Sequence, residues 1–172
     1  LQVPAFEPRL VGLWGLGALL YAYAVRGTGP LMIGVLAVTG WVISAPMLAE
    51  PSALTAVAAL LAAGVTGASV SALHARRWPE FGYAWLAFGT ILSLSGLFAA
   101  AIPEITAEDF RWSPTLIAIV VGTALVAGAA LALARGRDRW EPLGALVTTA
   151  VGLLLVLWEA GANAQNVGAQ DW

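Results

Sequence analysis

The residues best placed to do chemistry are a short polar face near the end of the chain and a single histidine. Five residues follow one another at intervals of four, seven, four and three positions, which places them on one face of a helix. They are Thr148, Gly152, Glu159, Asn163 and Asn166. Glu159 is the only carboxylate expected to enter an apolar segment, and an ionisable group within a membrane is a candidate for proton or cation passage. The alternative is a helix that emerges into water with Glu159 solvated.

His74 is the only histidine, and it stands beside Arg76 and Arg77. It could ligate a haem or chlorophyll axially, but no second ligand or attachment motif accompanies it in the sequence. The alternative is a histidine at the membrane interface, which its basic neighbours favour. The sequence also has no cysteine, no phosphate-binding glycine loop, no nucleophile elbow and no zinc motif. We therefore predict no cofactor, no metal and no enzymatic activity.

The composition indicates a chain that is solvated by lipid. Of its 172 residues, 60% are hydrophobic and 10% are charged, and the mean hydropathy is +0.84. Soluble domains carry about 25% charged residues, so this chain lacks the polar surface that water requires. The formal net charge is -2 and no long basic cluster is present, which argues against a nucleic-acid partner.

Charged residues and prolines divide the chain into apolar runs. We predict an all-α integral membrane bundle of six transmembrane helices in a single domain, at about 8–26, 30–49, 51–74, 79–102, 114–134 and 141–160. One proline lies near the start of each run, where its missing N–H would have had no partner: Pro8, Pro30, Pro51, Pro79, Pro114 and Pro142. Ser113 is placed to cap the fifth helix.

The placement of arginine predicts an orientation. Six of the eight arginines fall in the first, third and fifth connections: Arg26, Arg76, Arg77, Arg135, Arg137 and Arg139. Because positive charge prefers the cytoplasm, we expect these connections inside and both termini on the non-cytoplasmic side of a cell membrane. An outside N-terminus with no visible signal sequence favours a further span before Leu1, in a longer chain.

Several short motifs carry a resemblance to a known family. They are Val3-Pro4-Ala5-Phe6, Leu13-Trp14 followed by Gly15 to Tyr23, Val25-Arg26, Pro30-Leu31 and, later, His74-Ala75-Arg76-Arg77. In this order they resemble a family of predicted bacterial membrane proteins catalogued as domain of unknown function 2157. The resemblance covers the first fifty residues loosely and the rest in hydropathy. It implies a multi-pass protein of the bacterial cytoplasmic (inner) membrane and no established activity, and family members carry further helices upstream.

Small and hydroxyl-bearing residues recur within the apolar runs. Gly64 and Ala68 are four residues apart, as small residues at helix contacts in bilayers often are, and hydroxyls such as Thr66 and Ser93 can bond across helices. We therefore expect a non-enzymatic membrane module, an accessory, scaffold or sensor subunit, whose partners are membrane lipids and other membrane subunits or itself. The alternative is a small-solute or ion transporter or channel that uses the polar faces of helices 3, 4 and 6. A transporter should show a water-accessible cavity near mid-membrane that reaches Thr66, Ser93 or Thr148, whereas a scaffold should have a tight interior and a large apolar contact with a neighbouring chain.

Overall fold

The computed structural model describes residues 8–49, 51–102 and 110–170, without the side chains of 8, 155, 157 and 159–170. Over those residues the chain is helical with no strand, which confirms the predicted all-α class. Its helices are α1 (Pro8–Val25), α2 (Thr28–Ala49), α3 (Ala53–His74), α4 (Pro79–Ala100), α5 (Pro114–Leu133) and α6 (Trp140–Gln170), with a short 3₁₀ turn at Gly136–Arg139 between the last two.

Four helices, α2 to α5, are long and apolar enough to cross a membrane. They have 20 to 22 residues each, which corresponds to about 30 Å of helix at 1.5 Å per residue. Helix α1 is shorter, with 18 residues, and α6 is much longer, with 31. α6 continues to Gln170, whereas the sequence placed its end near 160. The four helices indicate a membrane protein.

A serine and a proline lie next to each other at the start of α5 and again at the start of α3. Pro114 occupies the first turn of α5, and the hydroxyl of Ser113 accepts a hydrogen bond from the backbone N–H of Leu116 at 3.2 Å. The predicted cap at Ser113 is therefore confirmed. Pro51 lies just before α3 instead of in its first turn, because Ser52 keeps an extended backbone and the helix starts after it.

Helix α3 is the centre of the bundle. Within its most apolar stretch 61% of the residues are buried, against 17% for α5, so α3 is enclosed and α5 is largely peripheral. Glycines let α3 and α4 approach closely: a Cβ added to Gly67 would lie 2.7 Å from the Cα of Gly89, and one added to Gly64 would overlap Ser93. Dispersion contacts between closely packed backbones are a main source of helix association in lipid, where apolar burial gives no gain.

The other side of α3 is covered by small residues of α5 and α6. Val65 and Ala68 of α3 pack with Ala127 of α5 and Ala145 of α6 in one buried cluster. One helical turn further along α3, Ala72 packs with two more alanines of the α5 end. These small side chains let α5 and α6 pack against the middle of α3.

Helices α1 and α2 form a hairpin that packs through glycine. A Cβ on Gly15 would lie 2.8 Å from the side chain of Val38, and a Cβ on Gly34 would lie 2.8 Å from that of Leu19. The hairpin turns at Arg26, which has a positive φ of 56°. The N–H of Gly27 donates to the carbonyl of Ala22 at 3.1 Å and so closes the end of α1.

The three arginine-bearing connections meet at one end of the bundle. Arg76, after α3, forms an ion pair with Asp138, before α6, with Nε and Oδ2 3.7 Å apart. The ring of Tyr23, at the end of α1, lies 5.5 Å from that of Trp78, between α3 and α4. Side chains from all three connections, or from the helix turns next to them, are therefore neighbours.

Candidate functional site

The polar face predicted on the last helix falls mostly outside the described side chains. The backbone of α6 is helical through Glu159, Asn163 and Asn166, but the side chains of these residues lie outside the described part of the chain. Thr148 is described, and its hydroxyl donates to the carbonyl of Gly144 one turn earlier, at 2.9 Å. The proposed role of Glu159 in proton or cation passage stays a prediction.

His74 lies in an aromatic cluster formed by Tyr23, His74, Trp78 and Phe81. Its Nδ1 is 2.7 Å from the carbonyl oxygen of Val70, and since a carbonyl only accepts, Nδ1 must carry the proton. The His74 ring lies 5.5 Å from Tyr23 and 5.8 Å from Trp78, and Tyr23 meets Phe81 edge-on at 5.2 Å. The hydroxyl of Tyr23 accepts a hydrogen bond from the indole N–H of Trp85 at 3.2 Å. The histidine thus joins α3 to α1 and α4.

A cavity of about 180 Å³ adjoins the aromatic cluster at the arginine-bearing end. Its lining includes Tyr23, Trp78 and Phe81 from the cluster, together with the charged residues Arg26, Arg77 and Glu80. The Cζ of Arg77 is 5.8 Å from the centre of the Trp78 ring, within the range of a cation–π contact. Sequence reasoning used Arg26 and Arg77 for the orientation of the chain and for the family resemblance, and did not predict that they line one cavity.

A larger cavity, of about 580 Å³, lies between α2, α3 and α5. Its lining is mostly apolar and includes Trp41 and Trp85, with Thr66 and Thr123 facing each other across the α3–α5 contact. The two threonine hydroxyls are 3.0 Å apart, and Thr123 also reaches the carbonyl of Ala62 at 3.4 Å. The hydroxyls satisfy one another, so this cavity offers a ligand mainly apolar contacts.

A third cavity, of about 270 Å³, lies between α4 and α6. It is lined by Thr90 and Ser93 of α4 and by Glu141 and Thr148 of α6. Ser93 is 6% exposed, and neither its Oγ nor the buried Oε2 of Glu141 has a hydrogen-bond partner within the described residues. An unpaired buried polar atom costs about 1–3 kcal/mol, so a water within hydrogen-bond reach of either atom would stabilise this part of the bundle.

The two cavities that reach the predicted hydroxyls are separate. The one at Thr66 and the one at Ser93 and Thr148 share no lining residue. The close contact of Gly67 with Gly89 lies between them in the α3–α4 interface. The structure therefore has cavities at all three hydroxyls, together with a backbone contact between α3 and α4 at Gly67 and Gly89.

Searches with this chain against family models, curated proteins and solved structures find no match. What its side chains do is therefore inferred from their chemistry and their packing.

Proposed function

We propose that the chain crosses the bacterial cytoplasmic membrane six times, with its arginine-bearing connections in the cytoplasm and both termini outside. The ion pair of Arg76 with Asp138 and the contact of Tyr23 with Trp78 support this topology, because they gather the basic connections at one end. Positive charge is retained on the cytoplasmic side of membranes. The resemblance to the bacterial membrane family named above belongs to the same proposal.

Within that membrane, we propose that the chain is a non-enzymatic module, an accessory, scaffold or sensor subunit that packs with other membrane-spanning chains. The observation that carries this proposal is the closed centre of the bundle. Gly67 and Gly89 bring α3 and α4 into backbone contact, and Val65 and Ala68 pack against α5 and α6 on the opposite side of α3. A polar pathway through the middle of the bundle would require α3 to move apart from the helices that it contacts.

The surface that we propose for packing with a second copy is the outer face of α5. This helix is apolar enough to cross a membrane yet only 17% of its most apolar stretch is buried. Three small residues are exposed on α5 at intervals of four positions: Ala124, Gly128 and Ala132. A Cβ added to Gly128 would meet nothing within 4 Å. Small residues at this spacing let a neighbouring helix come close.

Cross-linking tests the packing surface. The sequence has no cysteine, so Gly128→Cys introduces the only thiol. Under mild oxidation in native membranes we expect disulfide-linked dimers of Gly128→Cys. Gly17→Cys on α1, which replaces another exposed glycine with open space around it, is the matched control and should stay monomeric. Equal dimer yields for the two variants, or none for either, would contradict packing at α5.

Transport is the second candidate, and the α4–α6 cavity favours it. Ser93 and Glu141 line that cavity, which begins at the arginine-bearing end of the bundle, and each has a buried polar atom with no hydrogen-bond partner within the described residues. Transport and the packing module can be distinguished by measuring proton and cation flux in liposomes that contain the purified chain. A module with a closed centre gives the flux of empty liposomes. Flux that collapses in Glu159→Gln or Ser93→Ala would instead establish transport and overturn the preferred function.

A further inference from the structure

Arg26 has a backbone conformation that arginine rarely adopts. Its φ of 56° lies in the left-handed region, where glycine is the usual residue at the end of a helix. For other residues this conformation costs about 1–2 kcal/mol, and such outliers concentrate at functional sites. Gly27 follows Arg26 directly. A glycine is therefore present one position after the residue at which it would relieve the backbone strain. An arginine at position 26 therefore costs the fold stability that a glycine would not.

Arg26 lines the same cavity as Arg77, from a different connection. Arg26 follows α1 and Arg77 follows α3, and both line the cavity of about 180 Å³ beside the aromatic cluster. A single water needs about 10–15 Å³ of such space, so the cavity can hold a larger polar group. Tyr23 and Trp78 form its apolar wall and pack against each other with their rings 5.5 Å apart.

The charge at this cavity is positive overall. Arg26 and Arg77 are two basic residues among those that line it, and Glu80 is the one acidic residue among them. Within the described part of the chain neither Arg26 nor Arg77 forms a salt bridge, with Glu80 or with any other acid. Guanidinium groups present paired N–H donors that match the oxygens of a phosphate.

We propose that this cavity binds the phosphate group of an anionic membrane lipid. The choice of a lipid over free phosphate follows from the apolar surroundings. Val25, next to Arg26, is 50% exposed, and Tyr83, one turn after Glu80, is 72% exposed, so apolar surface for acyl chains begins beside the charged group. Basic pockets at the cytoplasmic ends of membrane helices recognise lipid headgroups in this way. The assignment of the phosphate to a lipid rests on the proposed topology, which puts the arginine-bearing end of the bundle at the cytoplasmic leaflet.

Native mass spectrometry of the full chain in mild detergent tests the proposal. The probes are phosphatidylglycerol, phosphatidylcholine with the same acyl chains, and inorganic phosphate. We expect one phosphatidylglycerol to bind at least tenfold more tightly than phosphatidylcholine, and inorganic phosphate at millimolar concentration not to displace it. Arg77→Gln and Arg26→Gly should each weaken that binding about tenfold. Arg26→Gly is the sharper variant, because glycine suits the left-handed backbone and a loss of binding cannot then be ascribed to misfolding.

Two control variants remove the same charge elsewhere. Arg137→Gln changes an exposed arginine at the same end of the bundle, and Arg111→Gln changes one just before α5. Both should bind phosphatidylglycerol as the unmodified chain does. Equal weakening in all four variants would show diffuse attraction and overturn the site. Equal binding of the two lipids would also overturn it, and displacement by inorganic phosphate would overturn the lipid source. Cysteine labelling of the connections reports on the topology separately.

Discussion

Gly67 of α3 and Gly89 of α4 lie so close that a Cβ on Gly67 would be 2.7 Å from the Cα of Gly89. Real Cβ atoms essentially never make such a contact, so the two backbones touch only because both residues lack a side chain. The approach removes any space for water between the two helices at this level. The closed centre of the bundle therefore depends on this pair of glycines.

The first prediction concerns that contact. Gly67→Ala should lower the free energy of unfolding in detergent by about 1–3 kcal/mol, the usual cost of an added methyl group in a packed core. Gly17→Ala is the matched control, since a Cβ there meets nothing within 4 Å and Gly17 lies outside the proposed packing surface. It should leave stability unchanged or raise it by up to about 1 kcal/mol, because alanine favours helix over glycine. Chemical unfolding monitored by circular dichroism measures both, and equal effects would show that α3 and α4 are not in backbone contact.

The second prediction concerns backbone strain at the hairpin turn. Arg26→Gly should stabilise the fold by about 0.5–1 kcal/mol, because the relief of a left-handed backbone exceeds the added entropy of the unfolded chain. Gly136→Ala tests the converse: Gly136 has a φ of +65° and open space around it, so alanine there should cost about 1 kcal/mol through backbone alone. Thermal unfolding of the two variants is the measurement. A loss of stability in Arg26→Gly would mean that the guanidinium supports the fold.

The third prediction concerns the hydroxyl pair across α3 and α5. Thr66 and Thr123 are 3.0 Å apart at their hydroxyl oxygens. A double-mutant cycle with Thr66→Val and Thr123→Val should give a coupling of about 0.6 kcal/mol, the average for such bonds within membranes. A cycle that pairs Thr66→Val with Thr148→Val, which bonds its own helix, should give none. Coupling of the same size in both cycles would contradict the contact.

The fourth prediction concerns water in the α4–α6 cavity. Ser93 lines a cavity of about 270 Å³ and its hydroxyl has no partner within the described residues, so we expect water to enter from the arginine-bearing end and reach this residue. Ser93→Cys should then react with a small charged thiol reagent in proteoliposomes. Ser69→Cys is the control, because Ser69 is fully buried and its hydroxyl donates to the carbonyl of Val65 at 2.7 Å. If Ser93→Cys proves as inert as Ser69→Cys, the cavity is dry.

Local signals in the sequence predicted the helices and one of their caps, because proline and Ser113 act on the backbone within one turn. The contacts between helices were not predictable in this way. Tyr23 and His74 are far apart in sequence and meet only after α1 and α3 pack, and nothing local marks Arg26 as a residue with a positive φ. The glycines Gly67 and Gly128 look alike in sequence, yet one is in a backbone contact and the other faces open space. The difference between the two glycines depends on which helix faces pack against each other.

The most direct test of the whole account is the side of the membrane on which each connection lies. Because the chain has no cysteine, single thiols can be placed at Thr28, Glu80 and Arg137, next to or within the arginine-bearing connections, and at Ser52 and Arg111 in the others. A membrane-impermeant maleimide applied to intact cells should label Ser52→Cys and Arg111→Cys, and should label the other three only after the cells are opened. Labelling of Thr28→Cys and Arg137→Cys from opposite sides would contradict the six-span topology.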